Sequence, residues 1–275
     1  MFVKTRGYKV FIIFSLVFIG LFVFFPLLWM INTALKPATE MFTLAFFTSF
    51  TLDNFVEVIT DIRVLRYLRN SLFVSSLSSI FATACSVLAG YSFSKFRYRG
   101  RKTIMALIMM GQAFPHAILL LTIYTVMSRF NLLDNYLSLI LSFVTFTLPV
   151  GTWTLKAYFD QIPNALIESA KIDGAGQFKI MRSIVFPLSI PGVISIAIYG
   201  FVWSWNDLLY SLTLVTAAEM RTIAPGLILN YMGEFHANWT NMMAASIVVS
   251  VPVAVMFIFL QRFFIQGLTA GAVKG

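Results

Sequence analysis

The sequence predicts an all-α membrane protein that crosses the bilayer several times, and two observations carry this prediction. Of the 275 residues, 59% are hydrophobic and only 11% are charged. Soluble domains carry about 25% charged residues, so too little polar surface remains here to coat a water-soluble globule. In addition, six stretches of more than about 20 residues lack any charged side chain, and about 20 apolar residues let a helix cross the ~30 Å hydrocarbon core.

We therefore expect six transmembrane helices in a single domain covering residues 1–275. The expected spans are 10–31, 70–94, 103–128, 135–155, 187–210 and 237–261. A seventh apolar run, 222–233, has only 12 residues and contains Pro225, so we expect a loop that is extramembrane or partly re-entrant. The single cysteine, Cys85, lies in an apolar stretch and is expected to be buried.

The distribution of basic residues predicts the orientation, because Lys and Arg are retained on the cytoplasmic side. With the N-terminus inside, cytoplasmic segments hold 14 of the 20 basic residues and three of the 11 acidic residues. The basic segment 95–102 then lies inside, and both termini are cytoplasmic. Five basic residues between two spans fit a stop signal and a contact with anionic membrane lipid; the alternative is a regulatory or partner-docking role. The net charge of +9 is thus explained by topology rather than by a nucleic-acid-binding surface.

One long cytoplasmic loop is expected at residues 156–186. Pro163 suits the first turn of a helix, where its missing N–H costs nothing, and Gly174 suits a left-handed cap at the end of that helix. Residues 178–185 then show a second helical pattern. The expected structure is a helix, a glycine turn and a second helix. The first helix carries Ala165, Glu168, Ser169 and Ile172 on one face, which fits either a groove in a partner or the bilayer surface.

The loop resembles the EAA signature of ATP-binding-cassette importer permeases. That signature is E-A-A, three residues, G, nine residues and I-x-L-P; the matching positions here are Glu168-Ser169-Ala170, Gly174 and Ile184-Val185-Phe186-Pro187. Ser169 and Phe186 depart from it by small-for-small and apolar-for-apolar replacements. Residues 203–215 and 261–275 resemble the carbohydrate-uptake branch, in particular its smaller permease of the maltose and glycerol-phosphate type.

The resemblance implies a type I importer permease fold in a bacterial cytoplasmic (inner) membrane. It also implies four kinds of partner: a second permease subunit, two ATP-binding subunits, an extracytoplasmic solute-binding protein and a carbohydrate substrate. The chain has no Gly-Lys dipeptide and hence no phosphate-binding loop of the G-x-x-x-x-G-K-[ST] kind, so it is not expected to be an enzyme. ATP and Mg²⁺ would bind the partner ATPases, and no cofactor is expected in this chain.

The family's coupling role falls on Glu168, Ser169, Ala170, Asp173 and Gly174. By the resemblance, the loop helix enters a cleft of the ATPase subunit, Glu168 contacts that subunit, and Gly174 sets the angle between the two loop helices. The C-terminal tail is a further candidate for ATPase contact, or else a flexible tail.

Polar residues within or near the spans are candidates for the substrate pathway, since polar side chains at membrane depth are often functional. They are Gln112, His116, Trp203, Asn206 and Asp207. Trp stacking with amide and carboxylate hydrogen bonds would suit a hydroxyl-rich ligand. Alternatively, Trp203 is an interfacial anchor, Asp207 lies at the outer interface, and His116 satisfies a neighbouring helix.

Two other classes compete with an importer subunit. A secondary transporter or channel not driven by ATP would share the spans and the basic inner face, but it does not explain the patterned loop. An intramembrane enzyme would need paired carboxylates, a Ser/His/Asp set or metal ligands in the spans. The sequence has none of these, and no metal site is expected.

Overall fold

The computed structural model describes residues 6–233 and 237–272, and helices dominate both ranges. Within them the only β contact is an isolated bridge between Met232 and Ala237. The predicted all-α fold is confirmed. The α-helices are α1 Arg6–Ala34, α2 Asp53–Thr60, α3 Ile62–Lys95, α4 Arg101–Met110, α5 His116–Arg129, α6 Tyr136–Asp160, α7 Asn164–Ile172, α8 Gln177–Ile180, α9 Phe186–Leu188, α10 Ile190–Trp205, α11 Leu209–Leu214, α12 Ile223–Tyr231 and α13 Trp239–Ala272.

Four of these helices are long and apolar enough to cross a membrane: α1, α3, α6 and the Trp239–Gln261 part of α13. Two bent pairs also qualify. Arg101–Ala113 and His116–Arg129 meet at 105°, and Gln177–Leu188 and Ile190–Trp205 meet at 79°. Counting each bent pair as one span gives the six spans that the sequence predicts.

The third expected span, 103–128, is therefore not one continuous helix. A 3₁₀ turn, Gly111–Ala113, follows α4, and α5 begins only after Pro115. Proline cannot donate a backbone hydrogen bond, and it forces the preceding residue out of the helical region. Phe114 accordingly has extended backbone angles, φ −86° and ψ 136°. The absence of charge over this stretch did not reveal the break.

The fifth expected span, 187–210, also has different limits. The helical path starts earlier, with α8, a π-helical turn at Met181–Val185 and α9. It breaks at Ser189 and resumes as α10, which ends at Trp205. Pro187 and Pro191 flank the break, and each removes one backbone donor.

The apolar run 222–233, expected to be an extramembrane or partly re-entrant loop, contains the nine-residue helix α12. Pro225 lies in the first turn of this helix, where backbone N–H groups have no intrahelical partner to lose. The last span also differs, because α13 continues as a helix to Ala272, well past residue 261. The final residues of the expected tail, 273–275, lie outside the described residues.

The chain divides into two compact units, of which the first comprises Met1–Leu65 and Leu227–Val251. In this unit, hydrogen bonds from polar side chains stabilise the segment between α1 and α2. The Asn54 side-chain amide donates to the carbonyls of Ala34 and Lys36, both at 2.8 Å. The buried Lys36 ammonium donates to the Thr43 carbonyl at 2.7 Å. By contrast, the most apolar stretch of α1 has no residue buried by the described part of the chain, as expected of a helix that needs lipid around it.

The second unit comprises Arg66–Gly226 and Pro252–Gly275. Here α3, α6 and α10 pack closely through small residues, as is common between membrane helices. A Cβ atom on Gly151 of α6 would overlap the Ser86 side chain of α3. The Ser79 hydroxyl of α3 donates to the Ala197 carbonyl of α10 at 2.6 Å.

The expected burial of Cys85 is wrong, because its side chain is exposed. The buried side of α3 at this level carries Ala82, Thr83, Ser86 and Val87. These residues follow the helical repeat, and Cys85 lies off that stripe.

Candidate functional sites: the loop between α6 and α10 and the bend between α4 and α5

The expected loop helix is α7, which begins after Pro163 and ends at Ile172. Its C-terminal cap confirms the predicted role of Gly174 in the backbone, because this residue has φ +76°. The Gly174 N–H donates to the Lys171 carbonyl at 3.0 Å, and the Ala175 N–H donates to the Ala170 carbonyl at 2.9 Å. This pair of bonds is a Schellman motif. It reverses the chain and leads it into α8.

The underside of the loop is packed into the protein. Ile162, Ile167, Ile180 and Val185 are buried in one cluster. The cluster also contains Val87 and Tyr91 from α3, Leu155 and Phe159 from α6, and Ile196 from α10. The loop is thus attached to three helices of the second unit and is not a free amphipathic segment.

Polar contacts fix the loop to the end of α3. The Lys95 ammonium donates to the Ile162 carbonyl at 2.8 Å and to the Asn164 side chain at 3.3 Å. The Tyr91 hydroxyl lies 3.2 Å from Oε1 of Gln177 and donates to it. The start of α7 and the start of α8 are therefore both connected to one long helix.

The outer side of the loop is exposed. Ala165, Glu168, Ser169 and Ile172, the face expected from the sequence, are all exposed, and Ile172 is 86% exposed. Asp173 and Gly174 are exposed as well. Ala170 differs from the other candidates because it is half-buried and packs against the cluster beneath the loop. Phe178 on α8, which was not among the candidates, is 71% exposed.

A polar cavity of about 280 Å³ lies between α7 and the end of α3. Glu168 and Lys171 line it from the loop, and Lys95 and Arg97 line it from α3 and the residues that follow. Glu168 therefore faces both the outer side of the loop and a region of positive charge.

Three of the five candidates for the substrate pathway come together at the bend between α4 and α5. The Gln112 side chain donates to the Phe146 carbonyl at 3.0 Å. The His116 ring centroid lies 4.7 Å from that of Phe146 and 5.7 Å from that of Trp203. The Trp203 ring centroid lies 5.2 Å from that of Phe146. These contacts connect the residues on either side of the break at Pro115 to α6 and α10.

The other two candidates, Asn206 and Asp207, follow the end of α10 and make local contacts. The Asn206 side chain donates to the Val202 carbonyl at 2.8 Å. An Asp207 carboxylate oxygen accepts from the Ser211 N–H at 2.8 Å. Asp207 thereby satisfies a backbone donor in the first turn of α11, as N-terminal capping residues do.

Three residues that were not predicted from the sequence complete an aromatic group with His116 and Trp203: Phe143, Phe146 and Tyr210. We call these five residues the His116 cluster. The Tyr210 hydroxyl donates to the His116 carbonyl at 2.6 Å. Its ring centroid lies 5.1 Å from that of Phe146. Aromatic residues are so common in this chain that composition could not distinguish Phe143, Phe146 and Tyr210 from the others. Pro115, which interrupts the helix after Gln112, was the one sequence signal that pointed to a special structure here.

Comparison with known proteins identifies the family. The family described as "Binding-protein-dependent transport system inner membrane component" matches residues 82–270. The chain belongs to this family. It is accordingly a multi-pass inner-membrane permease of a transport system.

Several known transport permeases are similar to this chain over most of their length. The chain is 34% identical to the inner membrane ABC transporter permease protein YcjP of Escherichia coli over 91% of each chain. It is 35% identical to the sulfoquinovosyl glycerol transport system permease protein SmoH of Agrobacterium fabrum, covering 91% of this chain and 89% of that one. It is 31% identical to the trehalose/maltose transport system permease protein MalG of Thermococcus litoralis over 97% of each chain.

Solved structures support the fold. A chain of a bacterial ABC transporter that imports the acidic polysaccharide alginate superposes with a TM-score of 0.82, at 20% identity, over 96% of this permease and 100% of that chain. A structure of a bacterial alginate transporter with a periplasmic protein bound to an alginate pentasaccharide gives a TM-score of 0.70 at 17% identity, covering 94% of this permease and 95% of that chain. The importer permease fold predicted from the sequence is confirmed.

Proposed function

We propose that this permease is the smaller membrane subunit of an ATP-driven importer for a sugar, oligosaccharide or polyol. It would form half of the translocation pathway, with a second permease subunit forming the other half. Two ATP-binding subunits would bind ATP and Mg²⁺, and an extracytoplasmic protein would deliver the solute. The names of the relatives support the carbohydrate class, because they include trehalose/maltose, diacetylchitobiose, galactooligosaccharide and maltodextrin systems.

The observation that carries the coupling role is the contrast between the two sides of the loop. Its underside is buried against α3, α6 and α10, and its outer side presents Glu168, Ser169 and a fully projecting Ile172. A short helix that is fixed from below can pass a movement of its outer surface to the helices beneath. Docking in a groove of an ATPase subunit would use this outer surface, and closure of the ATPase pair would then tilt the spans.

The orientation proposed from the sequence places this loop in the cytoplasm, together with residues 95–102 and both termini. Basic residues support this side, since they concentrate in the same segments. The bend between α4 and α5, with the His116 cluster, would then contribute to the substrate route. The partly exposed His116 and Trp203 rings and the Gln112 amide are groups that bind sugars by stacking and hydrogen bonding, whereas Phe143, Phe146 and Tyr210 are buried behind them.

Uptake in proteoliposomes tests the proposed function. The permease is purified with the subunits that copurify, reconstituted with ATP supplied on the ATPase side, and given a panel of radiolabelled oligosaccharides with the loaded binding protein. We expect uptake of at least one carbohydrate that requires both ATP and the binding protein. Uptake that follows an imposed ion gradient without ATP would contradict the proposal and favour a secondary transporter.

A further inference from the structure

Two cavities of the second unit adjoin each other where α4 begins. The first has a volume of about 340 Å³ and has apolar walls formed by Phe93, Met105, Ala106, Met109 and Trp153. Three basic residues, Arg101, Lys102 and Lys156, also line it. The second has a volume of about 330 Å³ and shares Arg101 and Lys102 with the first, adding Arg97. An apolar groove thus leads into a basic recess.

The dimensions of the groove follow from α4. Arg101 and Met109 are eight residues apart, which is about 12 Å along a helix. Met105 lies between them, one turn from each, so Arg101 stands over two turns of apolar wall. A chain of methylene groups beside Met105 and Met109 would therefore have its polar end at Arg101 and Lys102.

The charge of the recess determines which kind of polar end a bound ligand would have. Among the described residues, those that line the two cavities include no acidic side chain. One lining residue, Lys156, already has an acidic partner: it pairs with the Asp160 carboxylate at 2.5 Å, and that carboxylate also accepts from the Ser94 hydroxyl at 2.7 Å. Lys102 is exposed, and the Arg101 guanidinium donates to the Phe96 carbonyl at 2.9 Å. The recess therefore keeps a positive charge that a zwitterionic group would balance less well than an anionic one.

We propose that this surface binds one phospholipid with an anionic headgroup. The headgroup phosphate lies against Arg101 and Lys102, with Arg97 at the far side of the recess, and one acyl chain occupies the groove beside Met105, Met109 and Trp153. The membrane location of the family supplies this ligand. The choice of leaflet, the cytoplasmic one, rests on the orientation given under the proposed function.

Lipid retention by the purified permease tests the proposal. The permease is extracted with the subunits that copurify, equilibrated with equal amounts of phosphatidylglycerol and phosphatidylcholine, and weighed by native mass spectrometry. We expect wild type to retain phosphatidylglycerol in preference to phosphatidylcholine. Lys102→Gln lowers this preference about fivefold, the equivalent of about 1 kcal/mol for one cation at a lipid surface, and Arg101→Gln has a similar effect.

Arg99→Gln is the matched control, because Arg99 lies in the same basic segment and is not among the residues that line either cavity. It removes one positive charge, and the preference should stay at the wild-type value. Ala106→Phe places a ring in the groove and should lower retention of both lipids, with the remaining spans intact as judged by the melting temperature.

Equal retention of the two lipids by wild type would overturn the proposal, and so would equal effects of Lys102→Gln and Arg99→Gln. Exclusion of lipid from the wild-type complex, as expected if the second permease covers the groove, would also overturn it. The readout is bound lipid rather than transport. A failure of the carbohydrate proposal therefore leaves this result unaffected, and a failure here leaves ATP-dependent uptake unaffected.

Discussion

Gly174 shows how one residue determines the path of the loop. Its φ of +76° lies in the left-handed region, and a Cβ atom there would meet no neighbouring atom of the described chain within 4 Å. A substitution therefore acts on the backbone angle and not on packing. A β-branched side chain opposes this conformation by about 1–2 kcal/mol, which would favour a different exit from α7.

We expect Gly174→Val to reach the membrane at the wild-type level and to lose coupling. Recovery of the ATPase subunits on purification and substrate-stimulated ATP hydrolysis should both fall, because α7 no longer holds its angle to α8. Gly176→Val is the matched control, since Gly176 has a φ of −69° and equally open surroundings. Normal ATPase recovery and hydrolysis with Gly174→Val would contradict the coupling role.

Asp207 has a local role in the structure and a proposed role in transport, and two substitutions separate them. Asp207→Ala removes the acceptor for the Ser211 N–H, which should lower the free energy of unfolding by about 1 kcal/mol. Asp207→Asn keeps an acceptor and should leave stability unchanged. If the carboxylate contacts the solute, uptake falls in both variants. Wild-type uptake by Asp207→Asn across all solute concentrations would leave only the local role.

The role of an individual residue was predictable from the sequence where it depends only on local backbone conformation. Gly174 is such a case, because spacing to the end of a helix and freedom at positive φ identify it together. Phe146 and Tyr210 are the opposite case, since their importance arises from contacts between α5, α6 and α11 that no local pattern encodes. The predicted burial of Cys85 was wrong for a related reason. An apolar stretch indicates a membrane helix but does not show which side of that helix faces protein.

At the scale of elements, the contact between α3 and α6 depends on the absence of a side chain at Gly151. A Cβ atom there would overlap Ser86 and approach Ile196 of α10 at 3.0 Å. Small residues at such positions let membrane helices approach closely. The loop between α6 and α10 rests on this group of helices, so their spacing matters to it.

Gly151→Val should force α3 and α6 apart and lower the free energy of unfolding by about 1–3 kcal/mol, the usual cost of overpacking. The measurement is the melting temperature of the purified permease in detergent. Gly20→Val is the control, because Gly20 lies in α1 and a Cβ atom added there would meet no described atom within 4 Å. Equal melting temperatures for the two variants would show that the close contact is absent.

The number of spans was predictable because length and lack of charge determine whether a helix can cross the bilayer. Whether each span is one continuous helix was not predictable, because that depends on how a proline is accommodated. Pro149 lies inside α6 without ending it, whereas Pro115 separates α4 from α5 by a bend of 105°. Whether a helix continues through a proline depends on whether its surroundings satisfy the freed backbone groups, and that is a property of packing.

At the scale of the whole molecule, orientation remains a prediction from charge. We expect Lys179→Cys, in a Cys85→Ala background, to be protected from an impermeant thiol reagent added outside intact cells. Leu44→Cys should react, because Leu44 lies between the first two spans and is 82% exposed. Reaction from outside at position 179 would contradict the proposed topology.

Contact between α7 and an ATP-binding subunit is the central claim of the proposed mechanism, and cross-linking measures it most directly. Ile172→Cys and Leu44→Cys, both in the Cys85→Ala background, place thiols at positions of similar exposure, 86% and 82%. A bifunctional thiol–amine reagent is applied to inside-out vesicles, and the products are identified by mass spectrometry. We predict a product joining position 172 to the ATP-binding subunit both with and without ATP and Mg²⁺, because α7 must stay docked to transmit the movement, and none from position 44. No product from position 172, with one from position 44, would contradict the account.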